Sequence, residues 1–266
     1  MYKNFREEQE KSSERSLLEA KILDKYKFAV TKNKITNTDF LNLSEKSFAE
    51  KILKEKKILN SVFFGGNGED SDRNILIFYP EKFSVDIVEK NYDKIMSVIK
   101  INLPKELEYE HRTILGAIMK LGVKREKIGD IFVKENCAEI VVLNEICDFL
   151  INNLKQLTRF RKAEFEVISI NDLEKFEKEF ENLSIIVNSM RLDNFVSELA
   201  KSSRSKSEEI IKEQRVLVNY ELETKGSRKI NLEDVITIRG KGKFIVSEIE
   251  RKTKNDKLVI SLKKFV

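Results

Sequence analysis

Histidine and cysteine are scarce in this sequence, and their scarcity limits the chemistry open to it. His111 is the single histidine, and Cys137 and Cys147 are the only cysteines. Ser-His or Cys-His catalysis would therefore depend on His111 alone, for which we expect a role in capping or packing the helix that it begins. The cysteines form no Cys-x-x-Cys pair, which excludes a structural zinc site and suits a reducing compartment. We expect neither a metal nor a cofactor.

Long apolar runs are also absent. No stretch approaches the roughly 18 consecutive apolar residues that a bilayer-spanning helix needs. The N-terminal segment MYKNFREEQEKSSER is charged and lacks the apolar centre of a secretory signal. Hydrophobic residues make up 41% of the chain, as in ordinary soluble proteins. We therefore predict a soluble, cytoplasmic protein without a membrane span.

Glycine is missing before residue 65 and again from 130 to 225, which predicts continuous secondary structure in both stretches. Apolar residues at helical spacing predict a helical N-terminal region over residues 1–60. SVFFGG and NILIFYP, separated by a polar turn, predict a hairpin between residues 61 and 80. Segment 171–183, NDLEKFEKEFENL, reads as an acidic helix or linker.

The middle of the chain predicts a ferredoxin-like domain over residues 61–182. Its strands and helices follow the order βαββαβ of a split βαβ unit. The predicted elements are a strand at 95–101, a helix at 110–121, strands at 130–133 and 138–143, a helix at 144–154 and a strand at 165–170. Residues 183–266 predict two short helices followed by short strands. The fold class is thus α+β in three parts.

Charge is distributed unevenly along the chain. Residues 191–266 hold 18 Lys and Arg against 12 Asp and Glu, a net charge of +6, whereas residues 1–190 carry −1. Such asymmetry favours a polyanion-binding C-terminal domain on a neutral body. A well-solvated basic domain that binds nothing is an equal alternative on charge alone.

Segment 191–219, RLDNFVSELAKSSRSKSEEIIKEQRVLVN, resembles the S4 RNA-binding domain. The matching positions, in order, are Arg191, Leu192, Asp193, Ser203, Arg204, Ile211, Val216, Val218 and Asn219. The resemblance implies two short helices and a basic loop that face RNA, with strands behind them. The apolar members, with Phe195, are predicted core residues. The chain departs from the pattern at Gln214, Tyr220 and Glu233, where the family usually has glycine.

A second basic segment, RGKGKF at 239–244, follows in the same domain. Alternating glycines let a backbone approach phosphates, and its three cations would share one face of an extended strand. An ordinary hairpin with exposed lysines is the alternative. Together the two segments predict these RNA-binding residues: Arg191, Ser203, Arg204, Ser205, Lys206, Lys212, Arg215, Asn219, Arg239, Lys241 and Lys243. Ser205 and Glu208 predict a capping box at the second helix.

The whole chain resembles the YlmH-like family of bacterial S4-domain proteins. The resemblance rests on HRTILGAIMKLGVKREKIGDI at 111–131 and the FGG turn at 64–66, in addition to the S4 pattern. It implies a helical N-terminus, an RNA-recognition-like middle domain and a C-terminal S4 domain. It also implies binding of structured RNA, ribosomal RNA or tRNA, on the large ribosomal subunit in rescue or quality control of stalled translation.

The middle domain gives a weaker signal. Lys124, Arg125 and Lys127 contact RNA or form a solvated face, and the sequence does not decide between the two. The domain lacks the aromatic-rich sheet motif that stacks bases, which predicts recognition of RNA shape and backbone.

Two other functions compete with RNA holding. The chain could be a protein-interaction adaptor or scaffold that uses its N-terminal helices to bind a partner. It could also be an RNA-modifying enzyme, because Arg-Leu-Asp occurs at the centre of pseudouridine synthases. The Thr-Ser-Gly expected after Asp193 and the large catalytic domain are missing, and RSKS at 204–207 lacks the nucleotide-binding half of a synthetase. We therefore predict a non-enzymatic protein.

Overall fold

The spacing of apolar residues along the sequence produces helices that alternate with short strands. A computed structural model describes the backbone of residues 2–104, 109–134, 136–174, 176 and 178–266, and the side chains of these residues from 13 onward except residue 69. The residues divide into two units, Met1–Phe176 and Glu177–Val266. Each unit has a core of its own.

The element bounds in the first unit follow chain order. The helices are α1 (Tyr2–Lys32), α2 (Leu43–Glu55), α3 (Val85–Glu89), α4 (His111–Lys120) and α5 (Asn144–Leu154). The strands are β1 (Thr36–Asn37), β2 (Leu41–Asn42), β3 (Ser61–Phe64), β4 (Arg73–Phe78), β5 (Met96–Asn102), β6 (Ile128–Lys134), β7 (Cys137–Leu143) and β8 (Glu164–Ile168).

The N-terminal helices pack on a small sheet rather than forming a separate bundle. Strand β4 pairs with β1, β2 and β3, all antiparallel. The predicted β3–β4 hairpin is therefore present. Ile22 of α1 and Ile52 of α2 share a core with Leu76 and Phe78 of β4. The predicted boundary between residues 60 and 61 thus falls inside one packed core.

The central sheet has the predicted ferredoxin-like topology. Strands β5 to β8 alternate with α4 and α5 as βαββαβ, and the sheet order is β6-β7-β5-β8 with antiparallel neighbours. Helices α4 and α5 bury apolar residues, such as Ile118 and Leu150, against one sheet face. Because side chains alternate along a strand, Val98 and Val141 point to the other face. There they join a core with Phe40 and residues of β4.

The second unit contains α6 (Leu192–Ala200), α7 (Arg204–Lys212) and the strands β9 (Phe180–Val187), β10 (Val216–Val218), β11 (Glu221–Leu222), β12 (Val235–Ile238), β13 (Gly242–Lys252) and β14 (Leu258–Phe265). Its sheet order is β11-β10-β12-β13-β14-β9. The two helices cover the sheet through Leu192, Phe195, Ile211 and the buried strand residues. The predicted core role of these apolar residues is confirmed.

Strand β9 corrects the predicted acidic helix or linker at 171–183. It pairs along its whole length with β14, from Phe180 opposite Phe265 to Val187 opposite Leu258. Only a 3-10 turn at Ile170–Asp172 is helical in the described part of that segment. Leu183, Ile185 and Val187 contact the core at the two-residue period of a strand. The density of Glu and Lys before them concealed this pattern.

Candidate RNA-binding surface

The first helix of the second unit begins with an arginine oriented by a buried carboxylate. Asp193 is almost fully buried, and its two oxygens accept hydrogen bonds from Nη2 and Nε of Arg191 at 2.5 and 3.2 Å. The hydrogen bond from Arg191 is the main reason that the pKa of Asp193 lies below its ordinary value. The Arg191 side chain remains 43% exposed. A bidentate partner of this kind fixes the guanidinium plane in a direction accessible to a ligand.

A basic loop, residues 223–229, packs beside this pair. The backbone N–H groups of Leu192 and Asp193 donate to the carbonyls of Arg228 and Gly226, at 2.9 and 3.0 Å. A Cβ added to Gly226 would lie only 3.2 Å from that of Asp193, so the close approach favours glycine. The loop thereby brings the exposed Lys225 and Lys229 to the start of α6.

Glu223 stabilises the same loop through hydrogen bonds to its backbone and to Arg228. Its Oε1 accepts from the N–H groups of Thr224 and Lys225 at 2.9 and 2.8 Å, and its Oε2 accepts from Arg228 at 2.9 Å. Burial alone would raise the pKa of Glu223, but the hydrogen bonds from Arg228 and the loop backbone outweigh it and lower the pKa. The cations of this loop were not among the RNA-binding residues predicted from the sequence.

A cleft of about 210 Å³ separates this loop from α7. Arg191 and Lys212 line it with Asp193, Glu208, Thr224 and Ser227. Since Arg191 already pairs with Asp193, Lys212 supplies the remaining positive charge of the cleft, one helical turn after Glu208 on α7. The structure thus brings the predicted Arg191 and Lys212 to one concave site, together with the loop residues.

Helix α7 presents the predicted basic loop residues at its first turn. Ser203 is the N-cap, and its Oγ accepts from the N–H of Lys206 at 3.3 Å. The predicted capping box at Ser205 is therefore wrong, since Ser205 lies exposed within the first turn. Arg204 and Lys206 are 74% and 55% exposed. Their partners, Glu208 at 3.9 Å and Glu209 at 2.7 Å, form surface ion pairs, which contribute little because solvent screens them.

The turns without the family's usual glycines keep a left-handed backbone. Gln214, Asn219, Tyr220 and Glu233 have φ of 58°, 51°, 66° and 67°. Asn219 stabilises its turn with both ends of its amide, donating to Asp234 and accepting from the N–H of Val235, each at 2.8 Å. The structure therefore gives Asn219, predicted as an RNA contact, a structural role.

Residues 239–241 form the turn of the β12–β13 hairpin, so the prediction that Arg239, Lys241 and Lys243 share one face of an extended strand is wrong. Gly240 has φ of 80°, and Ile238 pairs with Gly242. Arg215 donates from Nη2 to the carbonyl of Arg239 at 3.2 Å, which groups Arg215 with this turn. Lys243 lies on the strand, with its Nζ 4.1 Å from the ring centre of Phe265.

The basic cluster of the middle domain has a structural role. Arg125 donates from Nη1 to the carbonyls of Ile128 and Gly129, at 2.6 and 3.2 Å. Burial, reinforced by nearby Arg73, lowers the pKa of Arg125 to about 10. Lys127 pairs with Asp39 at 2.6 Å and Glu145 at 2.5 Å. Lys124 alone of the three is exposed.

The FGG turn is also structural. A Cβ on Gly66 would lie 2.7 Å from Val141 Cγ2, which explains the absence of a side chain there. The next residue, Asn67, accepts from the N–H of Phe176 at 2.8 Å and donates to its carbonyl at 2.6 Å. The turn therefore anchors residue 176 beside the central sheet.

Within the residues that the structure describes, no group of three or more His, Cys, Asp or Glu side chains is placed to hold a metal ion. Among the described helices, none combines the length and apolar character needed to cross a membrane.

Comparison with known proteins identifies two domains in the predicted order. Residues 88–172 match the family model described as "Putative RNA-binding domain in YlmH", and residues 190–236 match the S4 domain. The Bacillus subtilis (strain 168) protein named "Ribosome-associated protein quality control protein P2" is 28% identical over 261 residues, which cover 97% of this chain and 95% of that protein. A solved structure, "Cell division protein ylmH from Streptococcus pneumoniae", aligns with 21% identity and a TM-score of 0.45, over 62% of this chain and 93% of that one. The predicted resemblance to the YlmH-like family is confirmed.

Proposed function

We propose that this chain, as a YlmH-like S4-domain protein, is a non-catalytic RNA-binding protein that acts in ribosome-associated quality control. One observation carries the proposal: a group of exposed cations lies around the start of α6, the start of α7 and the 223–229 loop, in front of a packed sheet, namely Arg204, Lys206, Lys225 and Lys229. The name of the Bacillus subtilis relative supports the setting.

Contacts to the RNA backbone explain how such a surface would hold structured RNA. Arginines and lysines positioned by a folded scaffold contact phosphates and fix the register of an RNA without reading its bases. Arg191 is already oriented by Asp193, so its guanidinium loses little freedom on binding. The surface pairs of Arg204 and Lys206 are weak enough for a phosphate to replace the glutamates.

The RNA is proposed to be ribosomal RNA or tRNA on the large ribosomal subunit, in the cytoplasm. This proposed binding location rests on the family resemblance. Crosslinking in cells, followed by sequencing of the bound RNA, should enrich large-subunit rRNA and tRNA. Recovery of random RNA would contradict it.

Charge reversal tests the proposed surface directly. The variant Arg204→Glu, Lys206→Glu, Lys241→Glu should abolish binding of the full chain to large ribosomal subunits and to a structured RNA hairpin. Reversal of Lys54, Lys90 and Lys120, exposed on the first unit, is the matched control and should leave affinity nearly unchanged. Unchanged binding by the first variant would rule out this surface.

An adaptor role is the second candidate, and exposed apolar residues favour it. Leu17 and Phe28 of α1 are both exposed, and their spacing corresponds to about three helical turns, which places them on one side of the helix. Because α1 and α2 share a core with β4, deleting residues 1–60 would disrupt the fold. Leu17→Gln with Phe28→Gln is the better test: an adaptor would lose its protein partner, while RNA affinity should persist.

A further inference from the structure

On the face opposite α4 and α5, part of the central sheet is not covered by the other described residues of the first unit. Near one end of the strands, that face packs into the core around Phe40 and β4. Towards the other end it carries polar residues, and a cavity of about 310 Å³ lies there. Lys100, Phe132, Lys134, Cys137, Glu139 and Phe176 are among its lining residues. Its size is at the lower end of the roughly 300–1,000 Å³ of small-ligand sites.

Glu139 is the unusual member of this site. Its side chain is only 8% exposed, and Oε2 is buried without a hydrogen-bond partner among the described residues. Oε1 lies 3.9 Å from Nζ of Lys100, beyond hydrogen-bond distance. A buried carboxylate is costly unless donors satisfy it, so the position favours a ligand that supplies N–H groups.

Strand register places three chemically different groups side by side. Glu139 on β7 is directly opposite Lys100 on β5 and Phe132 on β6. The Phe132 ring stacks on Phe176 with a centroid distance of 4.1 Å and an interplanar angle of 7°. An acceptor, a cation and an aromatic wall therefore meet at one cavity.

We infer that this cavity binds a single unpaired guanine base of an RNA. The Watson–Crick edge of guanine carries two adjacent donors, N1–H and the N2 amino group, beside the acceptor O6. Glu139 accepts from the two donors, Lys100 donates to O6, and the base packs against the Phe132–Phe176 wall. Adenine, cytosine and uracil lack two adjacent donors on this edge. The inference rests on the proposed RNA-binding function and adds base recognition to it.

Binding of modified oligonucleotides to the full chain tests this contact. The probe is a short uridine tract with one central guanosine, compared with the same tract bearing inosine, which lacks the N2 amino group, or adenosine. The wild-type protein should prefer guanosine over inosine by about ten-fold, as expected when a charged acceptor loses a donor. Glu139→Gln should abolish this preference, so that protein change and ligand change are not additive.

Two variants separate recognition from general effects. Glu166→Gln removes the same charge from an exposed residue that is also opposite Lys100, and it should keep the preference for guanosine. Lys100→Met should weaken guanosine and inosine equally, since both retain O6, and it remains informative if Glu139→Gln fails to fold. Equal wild-type affinity for guanosine and adenosine would overturn the inference, as would equal losses in the Glu139 and Glu166 variants.

The structured RNA hairpin distinguishes this inference from the proposed function. If the wild type binds the hairpin but does not discriminate guanosine, the cavity assignment fails and the proposed function stands. If guanosine is discriminated but the charge-reversed second unit still binds the hairpin normally, the proposed surface fails and the cavity stands.

Discussion

Two short basic segments, VKREKI at 123–128 and SSRSKS at 202–207, look alike in the sequence but are used in opposite ways. In the first, Arg125 and Lys127 turn inward to carbonyl and carboxylate partners that hold the first unit together. In the second, Arg204 and Lys206 project from α7 and form ion pairs with surface glutamates. The difference teaches that basic density alone does not identify an RNA contact. The partners supplied by the fold decide it.

The largest expected effect is on stability, at Arg125. Arg125→Met leaves the carbonyl of Gly129 without its charged donor and leaves that of Ile128 with Arg73 alone, which should lower the free energy of unfolding by about 2 kcal/mol. Arg204→Met should change it by less than about 0.5 kcal/mol, because its partner is a surface residue. Chemical denaturation of both variants measures the contrast. Similar losses in the two would remove the distinction between the segments.

Arg191 combines the two situations, because it pairs with the buried Asp193 and its side chain still remains 43% exposed. The pair therefore sharpens the comparison. Asp193→Asn should cost about 1–2 kcal/mol at neutral pH, less than a fully buried pair because Arg191 is half-exposed. The depressed pKa of Asp193 means that its contribution is present above the unfolded value of about 3.9 and is lost as pH falls through the lower folded pKa. The variant should therefore lose stability less steeply than the wild type in that acid range. Unfolding measured against pH checks this, with the exposed Glu198→Gln as control.

Lys225 and Lys229 of the 223–229 loop test whether the RNA-binding surface extends beyond the residues predicted from the sequence. Lys225→Gln with Lys229→Gln should weaken structured-RNA binding and lower the slope of log affinity against log salt by about 2, since each neutralised phosphate contributes nearly one. Lys124→Gln, the exposed lysine of the first segment, should leave that slope unchanged. A salt titration of RNA affinity distinguishes them. An unaltered slope in the double variant would confine the surface to α7 and the hairpin turn.

The smallest expected effect concerns the turn at Gln214, which supports the exposed cations. Gln214 immediately precedes Arg215 and has a φ of 58°, which costs a side chain energy that glycine avoids. Gln214→Gly should raise the free energy of unfolding by about 0.5 kcal/mol, because relief of strain exceeds the entropy that glycine adds to the unfolded chain. Thermal unfolding would show the gain, and RNA affinity should not change. A destabilised variant would mean that the Gln214 side chain stabilises its turn.

Local pattern was sufficient for most of the fold. Residues 144–154 were predicted as a helix and form one with those bounds, because apolar residues recur at helical spacing between polar ones. The βαββαβ order also followed from local alternation. Strand β9 was missed because its inward residues begin only at Leu183, after a run dominated by Glu and Lys, and its pairing partner β14 is distant in sequence.

The candidate site was less accessible to sequence analysis. The sequence predicted Arg191, Arg204 and Lys212 as RNA contacts, but the closeness of the 223–229 loop depends on long-range backbone hydrogen bonds such as that from Asp193 to Gly226. The alternating cations of residues 239–243 predict a strand, but residues 239–241 form a turn. No sequence pattern indicated that Glu139 belongs to a site, since its burial depends on which half of a sheet face is covered.

The pairing of β9 with β14 sets a time order for the second unit during its own synthesis. Phe180 finds its partner Phe265 only after the intervening helices and four strands have been made. At roughly 5–20 residues per second, β9 waits several seconds as an unpaired strand. Helices α6 and α7 contact each other through local sequence, so they can form early, but β9 cannot join the sheet until residues 258–265 have left the ribosome. A chain interrupted before that point therefore carries an open strand edge that can pair with other chains.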